Sequence, residues 1–228
     1  MNPEQLATGA IWYVAFLLSL TCHEAAHALV AMWGGDDTAA AGGQVTLNPV
    51  PHMQRSPLGT IAVPLISFAL NGWMLGWASA PYNPLWEQRY PHRSGWMALA
   101  GPAANFLLMM SAAIAINVGI WSGFFEIPDS ITYMHLVQGE GDMEPVALFV
   151  SVLFTLNILL MTFNLLPVPP LDGNTVVGLF VSEQRARDWF DFSRDPNYGF
   201  MGLVIAWVLF GRLFWPILRF AVDCLYWV

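Results

Sequence analysis

The stretch that decides the fold is GAIWYVAFLLSLTCHEAAHALVAMW, residues 9–33, an apolar run that carries His23, Glu24 and His27. A helix needs about 20 apolar residues to cross the hydrocarbon core of a bilayer, so this run predicts a membrane-spanning helix. Histidines four positions apart lie one turn apart on the same helical face, where their ring nitrogens can bind one Zn²⁺ ion. Glu24 lies beside them and can reach a water molecule on the metal. This spacing is typical of a zinc hydrolase.

Ionisable side chains are costly inside a spanning helix: insertion scales give about 2.5–3.5 kcal/mol for a charged group at the helix centre. Groups that bear this cost normally face a polar cavity and serve a function. We therefore expect His23, Glu24 and His27 to line a water-filled cavity within the bilayer.

The composition is that of an integral membrane protein: 56% of the 228 residues are hydrophobic, 11% are charged and the mean hydropathy is +0.52. These values lie outside the usual balance of a soluble domain, so the lipid bilayer is an expected partner. The net charge of −8 excludes nucleic acid as a partner, because a duplex binder needs a concentrated basic surface. The composition carries no indication of the oligomeric state.

Five apolar runs each approach the length of about 20 residues that a helix needs to cross the hydrocarbon core. They cover residues 10–33, 59–81, 95–120, 146–166 and 199–220. The runs predict an all-α polytopic membrane protein with about four to six transmembrane helices.

The run at 59–81 is unlike the others because it contains Pro64, the turn pair Asn71-Gly72 and Gly76. Proline and an Asn-Gly pair interrupt regular helix. These residues favour a re-entrant hairpin at 59–81 over an extra span.

The connection at 34–58 is rich in Gly, Ala, Asn and Pro. Within it, Gln44-Val45-Thr46-Leu47 alternates polar and apolar side chains. The alternation predicts a short β-like segment that can pair as an edge strand over the site.

The distribution of arginine bears on the topology. If 59–81 folds back, the connections on one side of the membrane hold Arg55, Arg89, Arg93, Arg185, Arg187 and Arg194. The opposite side then holds acidic residues and no arginine, so the positive-inside rule puts the arginine-rich side in the cytoplasm. Five full crossings would divide the same arginines five to one, so charge alone leaves both topologies open.

Two histidines leave a catalytic zinc ion one protein ligand short. Asp172 is a candidate because it follows the run 146–166 in a proline-rich segment, and irregular backbone at membrane depth is tolerated where it lines a wet cavity. An aspartate before a glycine is also a common turn residue. Asp172 and the histidines lie at one depth only if an odd number of full crossings separates their helices. The hairpin meets this condition and five full crossings do not.

Four motifs occur in order along the chain. They are His23-Glu24-x-x-His27, Asn48-Pro49-x-x-His52 followed by Gly59-Thr60, Gly101-Pro102-x-x-Asn105, and Asn164-x-x-Pro167 ending in Leu171-Asp172-Gly173. Together they resemble the site-2 protease family of intramembrane zinc metalloproteases, in its compact subgroup without attached regulatory domains. The resemblance covers about residues 15–180.

The resemblance implies one zinc ion per chain with three protein ligands, His23, His27 and Asp172. It makes Glu24 the catalytic base, and it implies a site that opens toward the cytoplasm. One motif departs from the family pattern His-x-Asp-Pro-x-Gly-Thr, because the segment that starts at His52 is two residues longer and lacks the aspartate. The resemblance therefore assigns no role to His52.

Asn105 and Asn164 are candidates for a fixed hydrogen-bond donor to a developing oxyanion. An amide within the hydrocarbon core is costly to bury and therefore normally serves a function. Hydrogen bonding between helices explains each asparagine equally well. Both interpretations stay open on the sequence.

The favoured function is that of an intramembrane zinc endopeptidase: one domain over 1–228, with a catalytic core over about 10–180 and a C-terminal membrane segment over 199–228. Its expected substrates are transmembrane proteins or peptides, cleaved during regulated intramembrane proteolysis. The expected location is a prokaryotic inner membrane. The alternatives are a transporter or sensor of divalent metal ions, and an inactive family member that binds transmembrane partners. Transport by ligand exchange does not need a carboxylate such as Glu24 beside the first ligand.

Overall fold

The computed structural model describes residues 2–227, and helices account for most of that part of the chain. The α-helices are α1 (Pro3–Trp33), α2 (Thr38–Ala41), α3 (Pro49–Arg55), α4 (Val63–Asn71), α5 (Pro84–Arg89), α6 (Pro91–Trp121), α7 (Glu144–Asn164), α8 (Asp172–Val176), α9 (Glu183–Ser193) and α10 (Pro196–Leu225). A π-helical turn, Leu58–Ala62, leads into α4, and 3₁₀ turns cover Gly141–Met143 and Val177–Phe180.

Four of these helices, α1, α6, α7 and α10, are long and apolar enough to cross a membrane. No β-strand occurs within residues 2–227. The prediction of an all-α polytopic membrane protein is therefore confirmed.

α1 begins at a complete capping box and ends at a glycine pair. The side chain of Asn2 accepts the N–H of Gln5 at 2.8 Å, and the side chain of Gln5 accepts the N–H of Asn2 at 3.1 Å. At the other end, Gly35 adopts φ +94°, which stops the helix after Trp33. The 31 residues between span about 46 Å, enough to cross a bilayer.

α7 lies at the centre of the bundle, and every residue from 150 to 160 is buried. Its apolar side chains share one core with Trp12 and Phe16 of α1. Lipid tails are as apolar as this core, so van der Waals contact and hydrogen bonds, rather than transfer out of water, hold the helices together. Small residues such as Ala15 and Ala112 allow the close approach that such contact requires.

The segment 59–81 folds back on itself, as predicted. α4 ends at Gly72, which takes the left-handed conformation at φ +73°, and the chain then returns without regular structure. The two limbs touch at their open end, where the N–H of Trp77 donates to the carbonyl of Gly59 at 3.1 Å. The hydroxyl of Tyr13 donates to the carbonyl of Thr60 at 3.2 Å and ties the hairpin to α1.

The tip of the hairpin is held by aromatic side chains. Trp73 stacks on Tyr133 of the α6–α7 loop, with ring centroids 4.3 Å apart. It also lies 5.7 Å from Trp12 of α1 and 6.3 Å from Phe214 of α10, measured between ring centroids. The hairpin therefore forms a wall along α1 that reaches the loop joining α6 to α7.

The connection 34–58 does not form the predicted strand. Gln44 to Leu47 is irregular, because no neighbouring extended segment supplies a ladder of backbone hydrogen bonds. Side chains hold it instead: the amide of Gln44 donates to the carbonyl of Ser79 at 3.3 Å, and Nε2 of His52 lies 3.1 Å from the carbonyl oxygen of Thr46.

α6 is the one full-length helix between α1 and α7 within the described residues. With the hairpin returning to its own side, one crossing separates the two helices, so α1 and α7 run in the same direction. The ends of α1 and α7 that carry the candidate ligands therefore lie at one level.

Replacing Gly59 by alanine should destabilise the hairpin, because the added methyl group would overlap the carbonyl oxygen of Trp77. A backbone oxygen cannot move aside as a flexible side chain can, and overpacking of this kind typically costs about 1–3 kcal/mol. We expect a lower midpoint of thermal unfolding in detergent. The control is Gly211→Ala on α10, where an added methyl group meets no atom within 4 Å. An equal change in both variants would contradict this role for Gly59.

Candidate metal centre

Three predicted ligands meet between α1 and the first residue of α8. Nε2 of His23 lies 3.1 Å from Oδ2 of Asp172, and Nε2 of His27 lies 3.4 Å from the same oxygen. The two Nε2 atoms are 3.0 Å apart. The structure therefore brings together the three residues that were predicted as zinc ligands, His23, His27 and Asp172.

The segment between α7 and α8 places Asp172 beside the histidines. α7 ends at Asn164, and the proline-rich segment that follows places Asp172 at the start of α8. α10 supports this segment, because Gly202 packs against the backbone of Pro169 so closely that a side chain there would overlap it. The short helix α8 packs against α6, which also faces the histidines.

The hydrogen bond of His27 defines the position of its ring hydrogen. Nδ1 of His27 lies 2.7 Å from the backbone carbonyl oxygen of Met97. A carbonyl oxygen only accepts, so Nδ1 must carry a hydrogen, and in the neutral ring Nε2 then presents its lone pair to the cluster. Nδ1 of His23 makes the corresponding contact with the side-chain oxygen of Asn105 at 2.6 Å.

The cluster has the properties of a metal site. Oδ2 of Asp172 is buried and accepts no hydrogen bond, although both histidine nitrogens lie near it. Electron pairs that converge in this way repel one another unless a proton or a metal ion lies among them. Two imidazole nitrogens and one carboxylate oxygen are the ligands of many catalytic zinc sites, which keep a further position open for water.

Gly101 of α6 leaves the space that an ion would need. A methyl group built on Gly101 would overlap Nε2 of His27 and lie 2.6 Å from Nε2 of His23. The absence of a side chain at this position lets α6 approach the cluster and leaves room beside both nitrogens.

Glu24 follows His23 directly on α1 and is 5% exposed. Within residues 2–227 its carboxylate makes no hydrogen bond and no ion pair. A carboxylate that is free of competing hydrogen bonds can accept a proton from a water molecule within its reach.

The two asparagines differ in their contacts. Asn105 is fully buried, and its amide nitrogen faces the side chain of Asn157 and the carbonyl of Ser19, away from the cluster. Asn105 therefore offers no hydrogen to an oxyanion in this geometry. Asn164 is half-buried and donates to the carbonyl of Leu160 on its own helix at 3.0 Å. Its catalytic role stays a prediction.

Sequence reasoning did not identify the polar residues behind His23, which are Ser19 and Asn157. Asn157 lies in the middle of an apolar run, and an amide at that depth is a signal for a buried hydrogen bond. His52 is 2% exposed and lies outside the cluster, with Nε2 near the carbonyl of Thr46.

A second polar group flanks the cluster outside the spanning helices. Arg194 pairs with Glu87 at 2.7 Å, and the side chain of Glu87 is almost fully buried. Tyr82 lies beside this pair. Burial of the Tyr82 hydroxyl group and the negative charge of Glu87 raise the pKa of Tyr82 to about 12. Tyr82 therefore keeps its hydrogen at neutral pH and can donate a hydrogen bond there.

Comparison with known proteins identifies the family. The family model described as "Peptidase family M50" matches residues 11–208 of this chain. The chain therefore belongs to peptidase family M50, the site-2 protease family that its motifs resemble. Membership makes it a metalloprotease, and the cluster is compatible with zinc.

The relatives carry corresponding names. The chain is 32% identical over 222 residues to "Putative zinc metalloprotease YwhC" of Bacillus subtilis (strain 168), a match that covers 92% of this chain and 86% of the relative. It is 25% identical over 190 residues to "Putative zinc metalloprotease Rip2" of Mycolicibacterium smegmatis (strain ATCC 700084 / mc(2)155), covering 83% of this chain and 63% of the relative. The protein of that name from Mycobacterium tuberculosis (strain ATCC 25618 / H37Rv) is 32% identical over 158 residues, 69% of this chain and 52% of the relative. No solved structure matches.

Replacing Gly101 by alanine should abolish metal binding while leaving most of the bundle intact, because the methyl group would occupy the space beside both Nε2 atoms. We expect less than one tenth of the wild-type zinc content in protein purified in detergent, measured by elemental analysis. Gly211→Ala, whose methyl group meets no atom within 4 Å, should retain the wild-type content. Full zinc occupancy in the Gly101 variant would show that the ion does not lie among these three side chains.

Proposed function

We propose that this protein is an intramembrane zinc endopeptidase that hydrolyses peptide bonds in or near the transmembrane segments of other membrane proteins. The observation that carries the proposal is the cluster of His23, His27 and Asp172 beside an unpartnered Glu24, within a bundle of helices long enough to cross a membrane. A buried site of this kind can act on peptide bonds that soluble proteases do not reach.

Each residue has a defined role in this proposal. His23, His27 and Asp172 hold the zinc ion through the three atoms that converge in the structure. Zinc, when bound, polarises the scissile carbonyl and makes a water molecule more acidic. The carboxylate of Glu24 takes the proton of the attacking water and passes it to the leaving amine.

A cavity beside α1 supports a substrate that arrives from the bilayer. It has a volume of about 550 Å³ and lies between Ala25 and Ala26 of α1, Ala104 and Leu108 of α6, and Leu47 of the loop before α3. Its lining is apolar, as a cavity that receives a membrane-embedded segment requires. A helical peptide shields its own peptide bonds by hydrogen bonding, so the substrate must enter locally unwound. Helix-breaking residues in the substrate should therefore favour cleavage.

Among residues 2–227, no side chain or backbone group forms a hydrogen bond or ion pair with Glu24, and this favours an enzyme over a transporter. A transporter that exchanges ligands needs the three metal-binding side chains but no additional carboxylate beside the first. A general base needs such a carboxylate, free of competing hydrogen bonds, within reach of the water. We further propose that cleavage serves regulated intramembrane proteolysis in a prokaryotic inner membrane.

Glu24→Gln tests the proposal. The variant should keep its zinc, because Glu24 is not a ligand, and lose peptidase activity by about 10²–10⁴-fold, the usual contribution of a general base. Cells that contain the variant should accumulate uncleaved membrane proteins, measured by comparing membrane proteomes with those of wild-type cells. Glu4→Gln, an exposed position in the first turn of α1, is the matched control and should match the wild type. Unchanged cleavage in Glu24→Gln, or zinc flux into proteoliposomes, would refute the peptidase mechanism.

The proposed orientation has its own test. Single cysteines at Ala41, Arg89 and Asp129, all exposed, are introduced after Cys22 and Cys224 have been replaced by alanine. An impermeant maleimide added to intact cells should label position 129 alone, because the hairpin keeps 41 and 89 together on the cytoplasmic side. Labelling of 41 and 89 from opposite sides would contradict this topology.

A further inference from the structure

Asn157 is a fully buried amide at the centre of α7. Its nitrogen donates to the backbone carbonyl of Leu153 at 2.7 Å and to the hydroxyl of Ser19 at 2.9 Å. Its oxygen accepts from the amide nitrogen of Asn105 at 2.9 Å. Asn157 thus joins α7 to both α1 and α6 behind the metal cluster.

Backbone carbonyls define the orientation of both amides. The carbonyl of Leu153 can only accept, so the nitrogen of Asn157 must face it and the oxygen must face Asn105. The amide nitrogen of Asn105 then points to Asn157 and to the carbonyl of Ser19, 3.4 Å away. These contacts leave the oxygen of Asn105 directed at Nδ1 of His23, at 2.6 Å.

We propose that Asn157 is a positioning residue that selects the tautomer of His23. With the oxygen of Asn105 held toward it, Nδ1 of His23 must carry the ring hydrogen, and Nε2 presents its lone pair to the metal. If Asn105 turned over, its NH₂ group would face Nδ1, the hydrogen would move to Nε2, and His23 could not bind a metal ion through Nε2. Asn157 acts without touching His23.

His27 provides an internal contrast. The position of its ring hydrogen is fixed by the backbone carbonyl of Met97, 2.7 Å from Nδ1. This carbonyl can only accept a hydrogen bond. The orientation of His27 therefore requires no amide side chain. Of the two histidines, only His23 depends on a side chain that can present either a donor or an acceptor.

The proposal rests on His23 being a metal ligand, as in the proposed function, but its test measures zinc affinity and does not depend on peptidase activity. Loss of a hydrogen-bond partner behind a metal ligand typically costs about 10–100-fold in metal affinity. We expect a loss of this size in Asn157→Leu, and in Asn157→Ala if the leucine variant does not accumulate. Affinity is measured on the purified full chain by competition with a chelator.

The decisive variant is the double substitution Asn157→Leu with Asn105→Asp. A carboxylate presents an acceptor to His23 in either orientation, so it no longer needs Asn157 to hold it. The double variant should recover zinc affinity to within a few-fold of the wild type. A merely structural role for Asn157 would not be rescued in this way.

Ser151→Ala is the matched control on α7. Ser151 is fully buried and accepts from the backbone N–H of Leu136 at 3.1 Å. It shares no hydrogen bond with His23, Asn105 or Asn157. Its removal should lower the midpoint of thermal unfolding and leave zinc affinity unchanged. Wild-type affinity in Asn157→Leu, or a loss that Asn105→Asp does not restore, would overturn the proposal. Absence of cleavage by the zinc-loaded wild type, with the zinc affinities of the variants changing as expected, would instead count against the proposed peptidase function and leave the role of Asn157 supported.

Discussion

The structure depends on one electrostatic constraint: three atoms with free electron pairs, two imidazole nitrogens and a carboxylate oxygen, lie within 3.4 Å of one another inside an apolar bundle. Repulsion among these electron pairs is relieved when a proton or a metal ion lies among them. The arrangement also dictates the order of the helices. α1 carries the histidines in its second half and α7 delivers Asp172 just beyond its end, so α6 must cross once between them. The hairpin at 59–81 keeps that number at one.

The spacing of polar residues in apolar runs carried most of the information needed to predict this arrangement. His23 and His27 are four apart on a helix, so their convergence follows from helical geometry. The depth of Asp172 then required parallel helices, and Asn71-Gly72 offered the place to fold the chain back. These inferences rest on periodicity and on the thickness of a bilayer, which are independent of packing detail, and the fold agrees with them.

What the sequence could not predict depends on which side chains face one another across helices. Asn105 and Asn157 are 52 positions apart, and only the packing of α6 on α7 brings their amides to 2.9 Å. Their apolar neighbours signal that each needs a partner but not which one. The alternation at Gln44 to Leu47 failed for a related reason: a strand requires a neighbour with free backbone groups, and local pattern does not reveal whether the fold provides one.

The backbone contact of His27 has a consequence for how this site withstands mutation. A carbonyl oxygen belongs to every amino acid, so any substitution at position 97 that preserves α6 leaves the acceptor for His27 in place. His23 relies on the identities of the side chains at positions 19, 105 and 157, each of which a single codon change can replace. The two histidines of one ligand pair therefore differ in genetic robustness, because mutations at residues that never touch the ion can weaken the site through His23 but not through His27.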